Sequence, residues 1–406
     1  MDLSHSTPVA TLEDAVQYLD NGISIIKHRL RERVQQRFVN LRSRYVDLEG
    51  YLLTSKYLRE RGALLSYALM TNFKPIHRKL YRSCVDGGLI HAASVIHDDV
   101  EDRAKFRRGY RTPNTVLGEE AAVFIGDELI ADEVRTSFDS AVSKMKKLAR
   151  GGKKSSHFLD AYSSLRSSQI LYVAMDYMAK GQTEERLLHR DLRGNVFGEA
   201  PLPPRAVEEI SQRLISFTYN KTGSLIRAFF ELGVFYGGVD WSDNKEFPGL
   251  YGEEPKKRVA RELLKIVEKV GFDFQRRDDI LDAVGDFQKT GKEPGMDIRN
   301  GLINTVHLAV FESPSPLHEQ LQLPVPSQEE KNLLYAILCK KRKTEEHVLQ
   351  ANTIAIRYGV PVIEHRLEQR LQDYSQSIDQ LHTLGVCEIG CELFRGLAQA
   401  MVKREI

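Results

Sequence analysis

Proline positions divide this chain before any other signal does. None falls between Pro8 and Pro75, Pro113 and Pro201, Pro204 and Pro248, Pro255 and Pro294, or Pro326 and Pro361. Proline removes a helical hydrogen bond and clashes with the preceding turn, so gaps this long admit long helices. Inside them apolar residues recur at three- and four-residue spacing, as at Leu263, Leu264, Ile266, Val267, Val270 and Phe274, the period of a helix with one buried face. Strand-like alternation is scarce. The pattern predicts an all-α protein, a single helical domain over residues 1–406 around one large core. Stretches 190–204, 236–257 and 312–326 are rich in Pro, Gly or charge and read as surface loops. A shorter break is expected at 150–156. The basic stretch 27–44 reads as the solvated face of an amphipathic helix.

Composition narrows the class. The 406 residues are 42% hydrophobic, enough for a sizeable core, and carry a net charge of +2, which implies no general affinity for nucleic acid. Basic groups that matter must act locally. Four cysteines do not make a disulfide framework in a chain this long. Cys387 and Cys391 share a helix face, but no nearby His or Cys completes a metal site, so they read as structural thiols. No run of about 18 apolar residues predicts a membrane span. The acidic residues Asp2, Glu13, Asp14 and Asp20 argue against a transit peptide, and no apolar signal-peptide segment is expected; the compartment stays open between cytoplasm and mitochondrion.

The candidate chemistry lies in two acidic clusters, Asp98-Asp99-Val100-Glu101-Asp102 and Asp278-Asp279-Ile280-Leu281-Asp282. Each sits in an apolar, helix-compatible stretch. On a helix, residues i and i+4 share a face about 6 Å apart along the axis, and like charges there repel. Asp98 with Asp102, and Asp278 with Asp282, therefore call for a cation. Arg107-Arg108 follows the first cluster and Lys292 the second. Carboxylates with Arg and Lys close by suggest magnesium with a phosphate ligand, because magnesium binds through one or two carboxylates plus phosphate oxygens and arginine pairs with phosphate in bidentate fashion. The clusters are expected to be two jaws of one metal-diphosphate site.

With these motifs the chain resembles the trans-isoprenyl diphosphate synthases, closest to the long-chain polyprenyl diphosphate synthases of solanesyl or decaprenyl type. The resemblance covers residues 50–305 and rests on five motifs in order. They are Leu89 to Asp102 for the first aspartate-rich motif, Gly118-Glu119-Glu120 with Gly126-Asp127, Gly181-Gln182-Thr183-Glu184-Glu185, Lys221-Thr222, and Phe274-Gln275-Arg276-Arg277 running into Asp278–Asp282. It implies an all-helical bundle of the isoprenoid synthase type with a central cavity, the motif-bearing core at about 50–305 and further helices over 327–406. It also implies a magnesium-dependent prenyltransferase that joins isopentenyl diphosphate head to tail to an allylic diphosphate, and a homodimer, with a heteromer as the alternative.

Residue by residue, the resemblance implies that Asp98, Asp102 and Asp278 hold magnesium, three ions in all, with Asp99, Asp279 and Asp282 supporting. Arg107, Lys221 and Lys292, assisted by Gln182, Thr222 and Gln275, would hold the allylic diphosphate. Lys56, Arg59, His91 and Arg108 would hold isopentenyl diphosphate. The tail would grow beside the first motif's helix, where Ala93, Ser94, Gly87 and Gly88 are small, so a long-chain product is expected and a farnesyl- or geranylgeranyl-length product is the alternative.

The chain departs from the family's pattern at several points. Thr54-Ser55-Lys56 stands for Gly-Gly-Lys, Gly88 for the glutamate three residues before His91, Glu185 for an aspartate, and Leu302 for a lysine. Arg276-Arg277 is unusually basic. A terpene cyclase would replace the second aspartate motif, and a non-catalytic regulatory subunit would have degraded clusters. Both clusters are intact.

Overall fold

The computed structural model describes residues 9–38, 48–149, 155–198, 200–240, 253–285 and 294–403. Its elements in order are α1 (Leu12–Arg37), α2 (Leu48–Leu53), α3 (Leu58–Thr71), α4 (Arg78–Glu101), a ribbon of β1 (Phe106–Arg107) and β2 (Tyr110–Arg111), α5 (Pro113–Leu117), α6 (Glu119–Ala149), α7 (Ser155–Arg193) and α8 (Pro204–Thr218). A π turn (Tyr219–Gly223) leads into α9 (Ser224–Tyr236), followed by α10 (Glu254–Val284), α11 (Met296–Asn300), α12 (Thr305–Phe311), α13 (Pro316–Leu321), α14 (Gln328–Cys339) and α15 (Glu345–Ile354). A second π turn (Ala355–Gly359) precedes α16 (Val360–Thr383) and α17 (Glu388–Val402). The all-α expectation is met, and the described residues hold a single two-stranded sheet. They fall into two compact units. One comprises Met1–Asp176, Leu225–Val267 and Gln376–Leu397, the other Tyr177–Ser224, Glu268–Ser375 and Ala398–Ile406.

The proline gaps hold helices of up to 39 residues, as in α7. Two loop expectations change. α7 continues to Arg193, inside 190–204. α13 forms inside 312–326, because Pro316 occupies a helix-starting position behind the Ser315 cap. Residues 150–154, 241–252 and 39–44 of the expected loops and basic helix lie outside the described residues.

In the first unit α1 opens with a capping box. Thr11 Oγ1 accepts from Asp14 N at 3.1 Å and the Asp14 carboxylate accepts from Thr11 N at 3.0 Å. Its face of Ala15, Leu19, Ile23, Ile26, Leu30 and Val34 is buried, each large side chain contributing about 1.5–3 kcal/mol as an upper estimate. Arg33 links this helix to two others, with Asp132 at 2.7 Å and Asp86 at 3.6 Å. Glycines admit close aromatic packing. A Cβ on Gly62 would meet the Phe230 ring at 2.2 Å, and one on Gly87 the Phe229 ring at 2.7 Å. The expectation that Gly87 leaves room for a growing tail is therefore corrected: Phe229 and Leu171 fill that space.

The second unit has its own core, with Leu188 and Leu192 of α7, Ile210, Leu214 and Phe217 of α8, and Leu334, Ile337 and Leu338 of α14 among its members. The π turn before α16 precedes Pro361 by two residues. A widened turn there tolerates a residue with no N–H to donate.

Candidate active site

The first acidic cluster lies in the first unit, at the end of α4. Asp98 and Asp99 belong to the last turn, and Asp102 caps it, its N–H donating to Asp98 O at 2.8 Å. Carboxylates at a helix C-terminus face the negative end of the macrodipole, so this placement costs stability unless a cation offsets it. The three aspartates are not equivalent. Asp98 has a side chain 27% exposed, whereas Asp99 is fully buried. Asp99 accepts from Arg107 Nε at 2.8 Å and 3.0 Å and from the Tyr51 hydroxyl at 2.5 Å. Arg107 Nη2 also reaches Asp98 Oδ2 at 3.3 Å. Burial works against the Arg107 charge, yet Asp99 and Asp98 hold its pKa above the ordinary value. Asp99 anchors the arginine and leaves Asp98 at the surface.

The ribbon explains how adjacent arginines diverge. Phe106 pairs with Arg111 and Arg107 with Tyr110, leaving Arg108 and Gly109 as the two turn residues. Both are left-handed, with φ of 53° and 82°, as a two-residue hairpin of type I′ requires. Arg108 accepts strain of roughly 1 kcal/mol there, and its Nη1 donates to Thr54 O at 2.5 Å. Thr54 lies between α2 and α3, beside Ser55 and the exposed Lys56. From α3, Arg59 Nη1 lies 3.0 Å from His91 Nε2. Arginine can only donate, so His91 accepts and is neutral. Burial, then Arg59, Arg108 and Arg107, push its pKa well below the ordinary value. Arg59, His91 and Arg108 thus form one electrostatic neighbourhood.

The second cluster lies in the second unit, near the end of α10. Asp279 is buried and accepts from Thr305 N at 2.9 Å, Thr305 Oγ1 at 2.6 Å and Gln275 Nε2 at 3.0 Å. Burial, then Asp297, pushes its pKa up to about 7. Gln275 Oε1 in turn accepts from the Thr222 hydroxyl at 2.7 Å. Asp282 turns back onto α11, accepting from Met296 N at 3.1 Å and Asp297 N at 3.2 Å. Asp278 is partly exposed. As in the first cluster, the middle aspartate is tied internally.

Lys221 and Thr222 lie within the π turn, a feature that recurs at functional sites. Lys221 Nζ pairs with Glu185 at 2.8 Å. Only glycine fits at 181, because a Cβ there would stand 2.5 Å from Lys221 N. Gln182 follows it, partly buried. Lys292 lies outside the described residues.

The unusual Arg pair has a local explanation. Arg276 donates to Asp273 at 2.8 Å, and Tyr374 closes on the same carboxylate. Arg277 lies 3.9 Å from Glu364. Leu302 is buried, 5% exposed, so no cation stands at that position. Arg193 and Lys343 lie beside the preceding residue, their nitrogens 2.9 and 3.0 Å from where a Gly301 Cβ would be. Sequence reasoning missed Tyr51, whose hydroxyl reaches the buried Asp99 across 48 residues of chain, a separation that no local spacing signals.

Among the described residues no group of three or more His, Cys, Asp or Glu side chains converges as a ready metal site. The donors nevertheless suit a hard cation. Asp98 and Asp102 offer only oxygen, and a helix C-terminus concentrates negative charge on them.

The family model described as Polyprenyl synthetase matches residues 47–352. The nonaprenyl diphosphate synthase of Mycobacterium tuberculosis is 28% identical over 215 residues, 53% of this chain and 48% of that protein. The farnesyl diphosphate synthase of Escherichia coli is 29% identical over 256 residues, 62% of this chain and 70% of that protein. The chain spans about half the length of the first curated relatives it matches, 48%, 52% and 50%. Among solved structures, a polyprenyl synthase from Caulobacter crescentus complexed with calcium and isoprenyl diphosphate superposes with a TM-score of 0.67 at 20% identity, covering 98% of each chain. At that identity the likeness is one of fold, the all-α isoprenoid synthase fold.

Proposed function

The chain belongs to the polyprenyl synthetase family, and on that premise we propose that it is a prenyltransferase joining isopentenyl diphosphate head to tail to an allylic diphosphate. The observation that carries the reading is the division of labour in the first cluster. Asp99 is buried and occupied by Arg107 and Tyr51, which leaves Asp98 partly exposed beside a fixed guanidinium. That is a poor arrangement for stability and a suitable one for a cation carrying a diphosphate.

Magnesium would be held by Asp98, Asp102 and Asp278, three ions in the family's complement, and when bound it would stabilise charge on the leaving diphosphate. The chain's own residues would do the rest. Arg107 and Lys221, with Lys292, would orient the allylic diphosphate, and Thr222, Gln275 and Gln182 would fix the surroundings of Lys221. Arg59, Arg108 and Lys56 would hold the second diphosphate. Neutral His91 adds a hydrogen-bonding group there without adding charge. The allylic C–O bond ionises, the isopentenyl double bond attacks the cation, and loss of a proton completes the new unit. Water would have to be excluded, because it would quench the cation.

A long-chain product is the favoured reading. Ala93 and Ser94 keep the α4 surface near Asp98 small, and the nonaprenyl relative supports it. The farnesyl relative keeps the shorter product as the alternative. The chain would act as a single isoprenoid-synthase domain. A homodimer fits the exposed apolar residues Phe124, Phe138, Val142 and Met145 along α6. No described helix is long and apolar enough to cross a membrane.

The test is incubation with magnesium, labelled isopentenyl diphosphate and allylic primers of several lengths, followed by measurement of product length. Elongation supports the reading, and no elongation with any primer rejects it. Products no longer than farnesyl would reject the long-chain reading alone.

A further inference from the structure

We propose that Glu60 is the positioning carboxylate of the isopentenyl diphosphate pocket, delivered from α3 into a gap that Gly88 leaves on α4. The inference rests on the synthase reading above. Glu60 is 5% exposed, and a carboxylate is seldom buried without something to act on. A Cβ built on Gly88 would stand 3.5 Å from Glu60 Oε1, with the Leu30 methyls at 3.5 and 3.6 Å. The carboxylate therefore lies beside the path a side chain at 88 would take. Gly88 is one helical turn before His91, so Glu60 sits about one turn along α4 from the imidazole. The charges that act on it are Arg59 and Arg108, although burial is the larger influence and raises its pKa.

Sequence placed glycine at 88 where the resembled pattern has glutamate. The structure brings a carboxylate to the same spot from the neighbouring helix. The physical need is plain. Arg59 and Arg108 share one neighbourhood with a neutral histidine, and two guanidiniums repel. A buried carboxylate close to both would offset that repulsion through space and so favour the Arg59 position in which Nη1 meets His91 at 3.0 Å. Glu60 touches no substrate in this scheme and acts through Arg59.

The experiment is calorimetric titration of isopentenyl diphosphate, with no allylic primer, into the wild type and into Glu60→Gln, Glu60→Ala, Gly88→Glu and the Glu60→Ala/Gly88→Glu double variant. Melting midpoints are recorded for each. Glu60→Gln keeps the side chain's volume, so its binding is read apart from packing. Glu60→Gln and Glu60→Ala are each expected to weaken binding about tenfold, and in turnover to raise KM for isopentenyl diphosphate with kcat little changed. Gly88→Glu alone is expected to weaken it too, because two buried carboxylates would share one gap. The double variant is expected to return to within about threefold of wild type, since the two substitutions couple through one carboxylate. Wild-type binding by Glu60→Gln, or a double variant no better than Glu60→Ala, overturns the proposal. Absence of binding by the wild type itself would instead remove the synthase reading on which it rests.

Discussion

Arg107 and Asp99 form a buried ion pair, with Nη2 2.6 Å from Oδ1 and the aspartate fully shielded from solvent. Removing one partner leaves the other charge buried and unpaired, at a cost of about 3–5 kcal/mol. Asp99→Asn and Arg107→Ala are therefore expected to lower unfolding free energy by that order as well as reduce turnover. Urea denaturation followed by circular dichroism checks it. Unchanged midpoints would show that the pair is not structural.

Asp98 and Asp278 should behave differently. Both are partly exposed, whereas Asp99 and Asp279 are buried. Asp98→Ala and Asp278→Ala are expected to cut turnover by orders of magnitude while melting stays near wild type. Steady-state kinetics alongside a melting curve is the measurement, and full activity in both would sink the metal assignments.

Gly181→Ala sets two effects against each other. Alanine gains about 1 kcal/mol of helix propensity over glycine. The added methyl would stand 2.5 Å from Lys221 N, and overpacking against backbone costs about 1–3 kcal/mol. The clash should win, displacing the π turn and raising KM for the allylic diphosphate. A variant more stable than wild type would show that the turn yields freely.

Much of this was legible in sequence, and the parts that were not have identifiable causes. Helix positions followed from proline gaps and apolar period, because both are local. The acidic clusters were visible as a repeated Asp-Asp-x-x-Asp spacing, while the grouping of Arg59, His91 and Arg108 came only from the family resemblance. What spacing could not show is which aspartate of each cluster faces inward. Asp99 and Asp279 are tied by Tyr51 and Thr305, residues well removed along the chain. Arg276 looked anomalous beside the second cluster, yet its partner Asp273 was only one helical turn away. The π turn around Lys221 left no sequence signal, since its residues suit an ordinary helix equally well.

Stability should also respond to pH through Asp86. Burial, then the like charge of Glu133, pushes its pKa up to about 7 from the model-compound value of 3.8. The folded state thus holds a proton more tightly than the unfolded chain does. This stabilisation is complete below about pH 4 and is lost as pH rises through 7. Asp86→Asn is expected to flatten the fall in melting temperature between pH 5 and pH 8 relative to wild type. Parallel slopes would count against the assignment.

The exposed side of α6 offers a test of assembly. Phe138 is 56% exposed and Phe124 70% exposed. Phe138→Glu is expected to shift the protein from dimer to monomer in sedimentation velocity. A wild type that sediments as a monomer at all concentrations would reject the homodimer proposal.

The ring of Phe229 against Gly87 bears on any attempt to retune product length by mutation. Enlarging residue 87 would push on an aromatic ring in a packed interior, and the variant would report folding defects rather than shorter products. The useful handle is the ring itself. Trimming Phe229, itself fully buried, would open a phenyl-sized hollow beside α4 two turns above Ser94, so under the proposed long-chain reading product length would respond to that hollow.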